Sequence, residues 1–186
     1  MGTHLSMKHI LQRGKHLWKA KGRHGTHSPF VYAFVEQVLR SKKRFQVKNS
    51  PLSQKQINQI NRSIQYLGAD VIYADAFLFE TINALSNHAS SAKFKVLPLD
   101  ISKEDYKDGA CFVCFSGKAS NDFLINIVKQ STCAAIIPLN QKNKNQKQYW
   151  EHLKNEPIFK MALDTWYIGF ISNHPDFKIK QYFRLR

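Results

Sequence analysis

Three short stretches hold residue types that could do chemistry. His24-Gly25-Thr26-His27 sets two imidazoles three residues apart. As metal ligands they would need further donors, and no Cys or carboxylate cluster lies beside them in sequence. A structural loop, leading into a helix capped by Ser28 and Pro29, is therefore expected. Cys111-Phe112-Val113-Cys114 has C-x-x-C spacing but lies in an apolar run that reads as a strand. Side chains three apart on a strand point to opposite faces, so these sulfurs should not meet. Redox pairs of this kind open helices instead. Ser116-Gly117 follows a strand but lacks the glycine two residues before the serine that a nucleophile elbow needs. No nucleophile, base and orienting acid assemble from these parts.

Charge is the second chemical signal. Of a net charge of +15, ten units fall in residues 1–48, where eleven Lys and Arg face the single acid Glu36. Lys15, Lys19, Lys21, Arg23, Lys42, Lys43 and Arg44 are the candidate contacts to a polyanion, because counterion release favours such segments on phosphate backbones. The alternative is a solvated helical face that keeps the chain soluble. Trp18, Tyr182 and Phe183 sit among cations and could stack bases. Trp18, however, shares a helical stripe with Ile10, Leu11 and Leu17, so packing is expected of it. No Walker turn, zinc-finger spacing or RNA-binding signature is present, and a nucleic-acid reading rests on charge alone.

Hydrophobic residues make up 43% of the 186 and include 13 Phe, which excludes a disordered chain. No run reaches the roughly 20 apolar residues of a membrane span, and no signal-peptide core is visible. Three cysteines cannot all pair within the chain, and a reducing, cytoplasmic setting is expected. Residues 1–6, ahead of a second Met, are set aside from fold reasoning.

The elements that would position these groups follow from patterning. A short basic helix is expected over 9–20. Ser28-Pro29 starts a helix whose apolar residues recur at 30, 31, 34, 35, 38 and 39 on one face. Ser53-Gln54-Lys55-Gln56 is a capping box for a helix carrying Ile57, Ile60, Ile64 and Leu67. From residue 69 onwards strands and helices alternate: strands over 69–74, 94–97, 110–115 and 133–139, helices over 77–89, 121–130 and 144–154. Such alternation implies a parallel sheet with helical crossovers. Strands over 158–163, 165–172 and 178–186 end the chain, the last expected to turn back antiparallel on its neighbour as a hairpin. The expected organisation is one structural unit, a basic helical region of 1–48 packed on an α/β domain of 49–186.

The segment from Lys19 to Val31, with its Arg23-His24-Gly25-Thr26-His27-Ser28-Pro29-Phe30-Val31 core, resembles the opening of a bacterial family described as class I S-adenosylmethionine-dependent methyltransferases. Leu163-Asp164-Thr165-Trp166-Tyr167-Ile168-Gly169-Phe170 and Lys180-Gln181-Tyr182-Phe183 resemble its closing strands. The resemblance implies a Rossmann-like, mostly parallel sheet with an antiparallel C-terminal hairpin strand. It also implies a structural place for Asp164 in that hairpin. The middle departs from the family where the cofactor would bind. Ile72-Tyr73-Ala74-Asp75-Ala76-Phe77-Leu78-Phe79 has no glycine where the family has a glycine-rich turn. Asp75 would be the surviving strand-end acid, Asp100 the ribose acid, and Phe77 and Phe79 would fill the methionine space. Ser116 stands where an acid belongs, and Pro138-Leu139 replaces two more. Only 12 residues separate Leu97 from Ala110, so one strand-helix unit is expected to be missing. The combined expectation is a degenerate methyltransferase fold that binds no cofactor and acts as an interaction module with a protein or nucleic-acid partner. The rival expectation is an active enzyme using S-adenosylmethionine through Asp75, Asp100 and Ser116.

Overall fold

The computed structural model describes residues 7–20, 28–88, 95–100, 106, 109–114, 117–129 and 132–186. Its helices are α1 (Met7–Lys19), α2 (Pro29–Phe34), α3 (Gln54–Leu67), α4 (Phe79–His88), α5 (Lys118–Val128) and α6 (Lys144–Asn155). The strands are β1 (Val71–Ala74), β2 (Lys95–Pro98), β3 (Ala110–Val113), β4 (Cys133–Pro138), β5 (Met161–Asp164), β6 (Ile168–Ser172) and β7 (Gln181–Arg184).

Local chemistry sets the helix ends as the sequence implies. The Ser28 hydroxyl accepts from Val31 N at the start of α2, with Pro29 beside it. Ser53 and Gln56 complete both halves of the capping box of α3, and Gly68, at φ +63°, closes that helix in the left-handed region. α2 runs on into a single π-helical turn, Val35–Leu39. Arg62 of α3 secures the exit from that turn, donating to the carbonyls of Val38 at 3.0 Å and Lys43 at 2.9 Å.

The seven strands form one sheet in the order β2-β1-β3-β4-β6-β5-β7. Four of the six pairings are parallel, and β6 is antiparallel to both β4 and β5. The hairpin therefore joins β5 to β6, and the last strand is not part of it. β7 lies parallel to β5 at the sheet edge, with Met161 opposite Gln181 and Asp164 opposite Arg184. The reason is occupancy: β6 is already paired on both sides, so the outer edge of β5 is the place left for a following strand. Residues 165–167, expected within a strand, form the turn, and Trp166 adopts φ +76° there.

Two cores cover the two sheet faces. One holds Val31, Phe34, Val35 and Val38 with Ile60, Ile64, Leu78 and Ile82 against β1, β3 and β4. The other holds Phe123, Leu124, Trp150 and Leu153 against the opposite side of the same strands. Cys111 belongs to the first and Cys114 to the second, as alternation requires. Two reversals of direction, β4 to β6 and β6 to β5, return β5 to the sense of β4. The carboxyl ends of β1, β3, β4, β5 and β7 therefore share one rim, and α1 lies against the β5–β7 end of it.

Candidate functional site

At the end of β1 the chain turns into α4 without glycine, and Asp75 makes the turn. Its carboxylate accepts from Leu78 N at 3.0 Å, and its carbonyl accepts from Phe79 N at 2.9 Å. That is a helix-capping arrangement. Leu78 is fully buried beside β1, whereas Phe77 is 62% exposed, which corrects the expectation that Phe77 fills this space. In a tight turn neighbouring side chains diverge, and here the leucine takes the inner position. Phe79 is half-buried and packs on the same core as Leu78. Leu99 N donates to Ala74 O at 2.7 Å, closing β2 down onto β1.

The passage from β2 to β3 takes 11 residues. Tyr106 anchors it. Its ring lies 4.5 Å from Tyr73, 5.3 Å from Phe112 and 5.4 Å from Phe123, and its hydroxyl donates to the Asp100 carbonyl. One aromatic ring thus packs between β1, β3 and α5. Asp100 is exposed. Ser116, Lys21, Arg23, His24 and His27 lie outside the described residues.

The other half of the same rim carries a cavity of about 180 Å³ between α1, α6 and the ends of β4, β5 and β7. Neither Asp75 nor Asp100 lines it. Gln146 shapes its floor, donating to Pro138 O at 3.0 Å and accepting from Asn140 N at 2.8 Å. Gln141 donates to Trp166 O at 3.1 Å. Four cations, Lys15, Lys19, Lys147 and Arg184, line the cavity against two acids, Asp164 and Glu151. Glu151 is held by Lys154 at 2.7 Å. Lys42, Lys43 and Arg44 are exposed elsewhere, on a segment pinned to α3 through Arg62 and through Asn58, which accepts from Phe45 N at 2.8 Å.

Asp164 is the hub of this region. Its oxygens accept from Trp166 N at 3.0 Å and the Tyr182 hydroxyl at 3.3 Å. His16 Nδ1 lies 3.7 Å away and Arg184 Nε 3.8 Å away. Burial, and then the Asp164 charge, push the Tyr182 hydroxyl well above its usual pKa, so it remains a donor. His16 is buried, its ring 5.2 Å from that of Trp166 and its Nε2 3.2 Å from the Leu185 carbonyl. This polar anchor orients α1 and overturns the apolar-stripe expectation: Trp18 is 84% exposed and Leu11 62%. Asp164 stands out in sequence as a lone acid in an apolar stretch. Its partners His16, Tyr182 and Arg184 come from the two ends of the chain and carry no local signal.

Burial lowers the His16 pKa, more strongly than Asp164 and the Leu185 carbonyl raise it; Arg184 and Arg13 lower it further. The neutral ring donates from Nε2 to Leu185, which leaves Nδ1 as an unprotonated acceptor near Asp164. In the window between its lowered folded value and about 6.5, the unfolded chain takes up a proton that the folded chain refuses. Stability therefore falls as pH drops through that window. Urea unfolding between about pH 7.5 and about pH 5 should show a shallower loss in His16→Gln than in the native chain. An equal or steeper loss in the variant would contradict a buried neutral imidazole.

A second cavity, about 460 Å³, opens at the opposite rim between Phe30, Tyr66, Phe170 and Phe177, with Cys111 and Cys133 in its wall. Burial pushes the Cys133 thiol up to about 12 and Cys111 higher still, which disfavours the thiolate at neutral pH. Among the described residues no cluster of three or more His, Cys, Asp or Glu could hold a metal ion, and no helix is long and apolar enough to cross a membrane.

No protein-family model, characterised protein or solved structure matches the chain.

Proposed function

We propose that this chain is a class I methyltransferase-type domain, one strand-helix unit short, that no longer binds S-adenosylmethionine and serves as a binding module for an anionic partner. A mostly parallel sheet with an antiparallel hairpin strand near the C-terminus supports this reading, although the antiparallel strand is β6 and not the last one. The observation that carries the loss of cofactor binding is Asp75. The acid best placed to hold the cofactor is engaged in capping α4, and Leu78 is buried beside it. In open α/β sheets the ligand enters at this carboxyl edge, where backbone must approach it closely. A side-chain-bearing turn hinders that close approach, and one oxygen of the Asp75 carboxylate is already committed to Leu78 N. The working surface then passes to the cation-lined cavity further along the rim, where Lys15, Lys19 and Lys147 have no acidic partner among the described residues.

Isothermal titration with S-adenosylmethionine and S-adenosylhomocysteine tests this reading. No binding heat is expected up to about 1 mM ligand. A micromolar dissociation constant for either would overturn it.

A further inference from the structure

We infer that α1 is a membrane-surface helix whose outward face docks on an anionic lipid bilayer. This names the anionic partner proposed above and rests on that reading.

The helix is docked inside out. Its inner side is polar: His16 is buried, with Nε2 3.2 Å from the Leu185 carbonyl and its ring 5.2 Å from that of Trp166. Arg13 lies over the Tyr167 ring at 6.0 Å, and Arg186 donates to the Leu17 carbonyl at 3.3 Å. These contacts fix which side faces solvent. Trp18 is 84% exposed, and Leu11 and Leu17 are exposed with it. At about 100° per residue, Leu11 and Trp18 fall within about 20° of one another on the helix surface. Tryptophan is highly buried on average. A helix that buries a histidine and presents a tryptophan and two leucines to water therefore leaves its apolar side without a partner among the described residues.

Charge and side-chain chemistry select the occupant. α1 holds Lys8, Arg13, Lys15 and Lys19 and no acid, and no Asp or Glu precedes Glu36 in the chain. Lys15 and Lys19 are exposed and follow Leu11 by four and eight positions, which sets them along one flank of the stripe. A basic helix with leucine and tryptophan on its free face is the pattern that lies in a bilayer interface. Tryptophan settles at headgroup depth, leucine enters the acyl boundary, and lysine stems reach back to the lipid phosphates. A nucleic acid would use the cations and could stack a base on the indole, but it gains nothing from two exposed leucines. Three apolar side chains on a helix about 20 Å long fall short of the roughly 800 Å² per partner of a standard protein interface. A bilayer asks for no shape complementarity.

The test uses the full chain and the tryptophans it already has. Trp150 and Trp166 are buried, so of the three only Trp18 is exposed. Vesicles of phosphatidylcholine with about 30% phosphatidylserine should sediment with the protein, shift its emission to the blue and, when the phosphatidylcholine is brominated, quench it. Vesicles of phosphatidylcholine alone should bind at least about 10-fold more weakly. Trp18→Ser replaces an exposed side chain and spares the fold; it should weaken partitioning about 10-fold or more. Lys15→Gln and Lys19→Gln should each weaken it about 5-fold. Trp18→Phe should keep most of the binding and lose the blue shift, which ties the signal to this residue. Absence of co-sedimentation, absence of quenching by the brominated lipid, or a Trp18→Ser variant that partitions as the native chain does would overturn the assignment. An electrophoretic shift assay with polyuridylate separates this failure from that of the wider reading. RNA binding without vesicle binding removes the bilayer and keeps an anionic partner; binding to neither at low salt removes both. The cofactor titration reads the β1 crevice and leaves this result independent of it.

Discussion

Leu78→Ala is expected to lower the unfolding free energy by about 2–5 kcal/mol, the range for truncating a buried leucine in a well-packed core. Leu78 is fully buried and belongs to the same core as Ile72, Ile82 and Leu85. Its backbone N–H is tied to Asp75, so the turn cannot slide to close the void. The upper part of the range therefore applies, because the cost grows with the cavity left behind. Urea unfolding measures the change, and the cofactor titration repeated on the variant gives a second readout. The vacated volume lies beside β1, yet Asp75 is still engaged, so no S-adenosylmethionine binding should appear. A variant that loses less than about 1 kcal/mol would show that the site collapses easily and that Leu78 is not a wedge.

Gly169→Ala is the second large effect. A β-carbon at 169 would stand 2.5 Å from Cη2 and Cζ3 of Trp150, closer than any real contact. The obstacle is a rigid indole, 2% exposed, and Gly169 is paired with both Ile137 and Asp164 in the sheet. Overpacking of this kind costs about 1–3 kcal/mol and sometimes more. The upper end is expected here, since Gly169 cannot yield without breaking a strand pairing and the Trp150 indole is buried in the core. Trp150→Phe in the same chain removes the outer ring atoms and should restore part of the loss. The coupling between the two substitutions in a double-mutant cycle then measures the clash itself. Additive losses would place the cause elsewhere, in the β6 backbone and not in the indole.

The parts of this fold that can be read from sequence are those with local causes. The Ser53–Gln56 capping box, the Ser28-Pro29 start and the strand-helix alternation each depend on residues within a few positions of one another. Strand order has no such cause. The alternation in 178–186 marks a strand but does not say that β6 is already paired on both sides, which is why β7 adds to β5. The face by which α1 docks was misleading for a related reason. Its apolar stripe suggests burial of Trp18, but His16 finds a carbonyl and an indole edge in the body of the protein. One buried hydrogen bond and a ring pairing outweigh a short stripe interrupted by Gly14.

The candidate site divides along the same line. Asp75 and Asp100 are visible as acids at strand ends, and only coordinates reveal that Asp75 caps a helix and that the Asp100 carbonyl receives Tyr106. Lys15 and Lys19 are visible as part of a basic segment; their separation from Lys42–Arg44 depends on the way α1 and the segment after the π turn dock on different parts of the body. Tyr106 gives no sequence signal for its role, since its partners Tyr73, Phe112 and Phe123 sit on three other elements.

The bond between His16 and the Leu185 carbonyl spans 169 positions of chain, and Arg186 reaches back to the Leu17 carbonyl in the same way. Closing a loop of that length costs entropy that nearby contacts must first offset. On a ribosome, α1 emerges early and has nothing to hold. Asp164, Trp166 and Arg184, the groups against which it settles, are made more than a hundred residues later, and chains fold in the order in which units become complete. The sheet can form its β1–β3–β4 half while the cavity does not yet exist. The cavity thus exists only in a chain that has reached β7, and any fragment stopped short of it would carry Lys15 and Lys19 without Arg184.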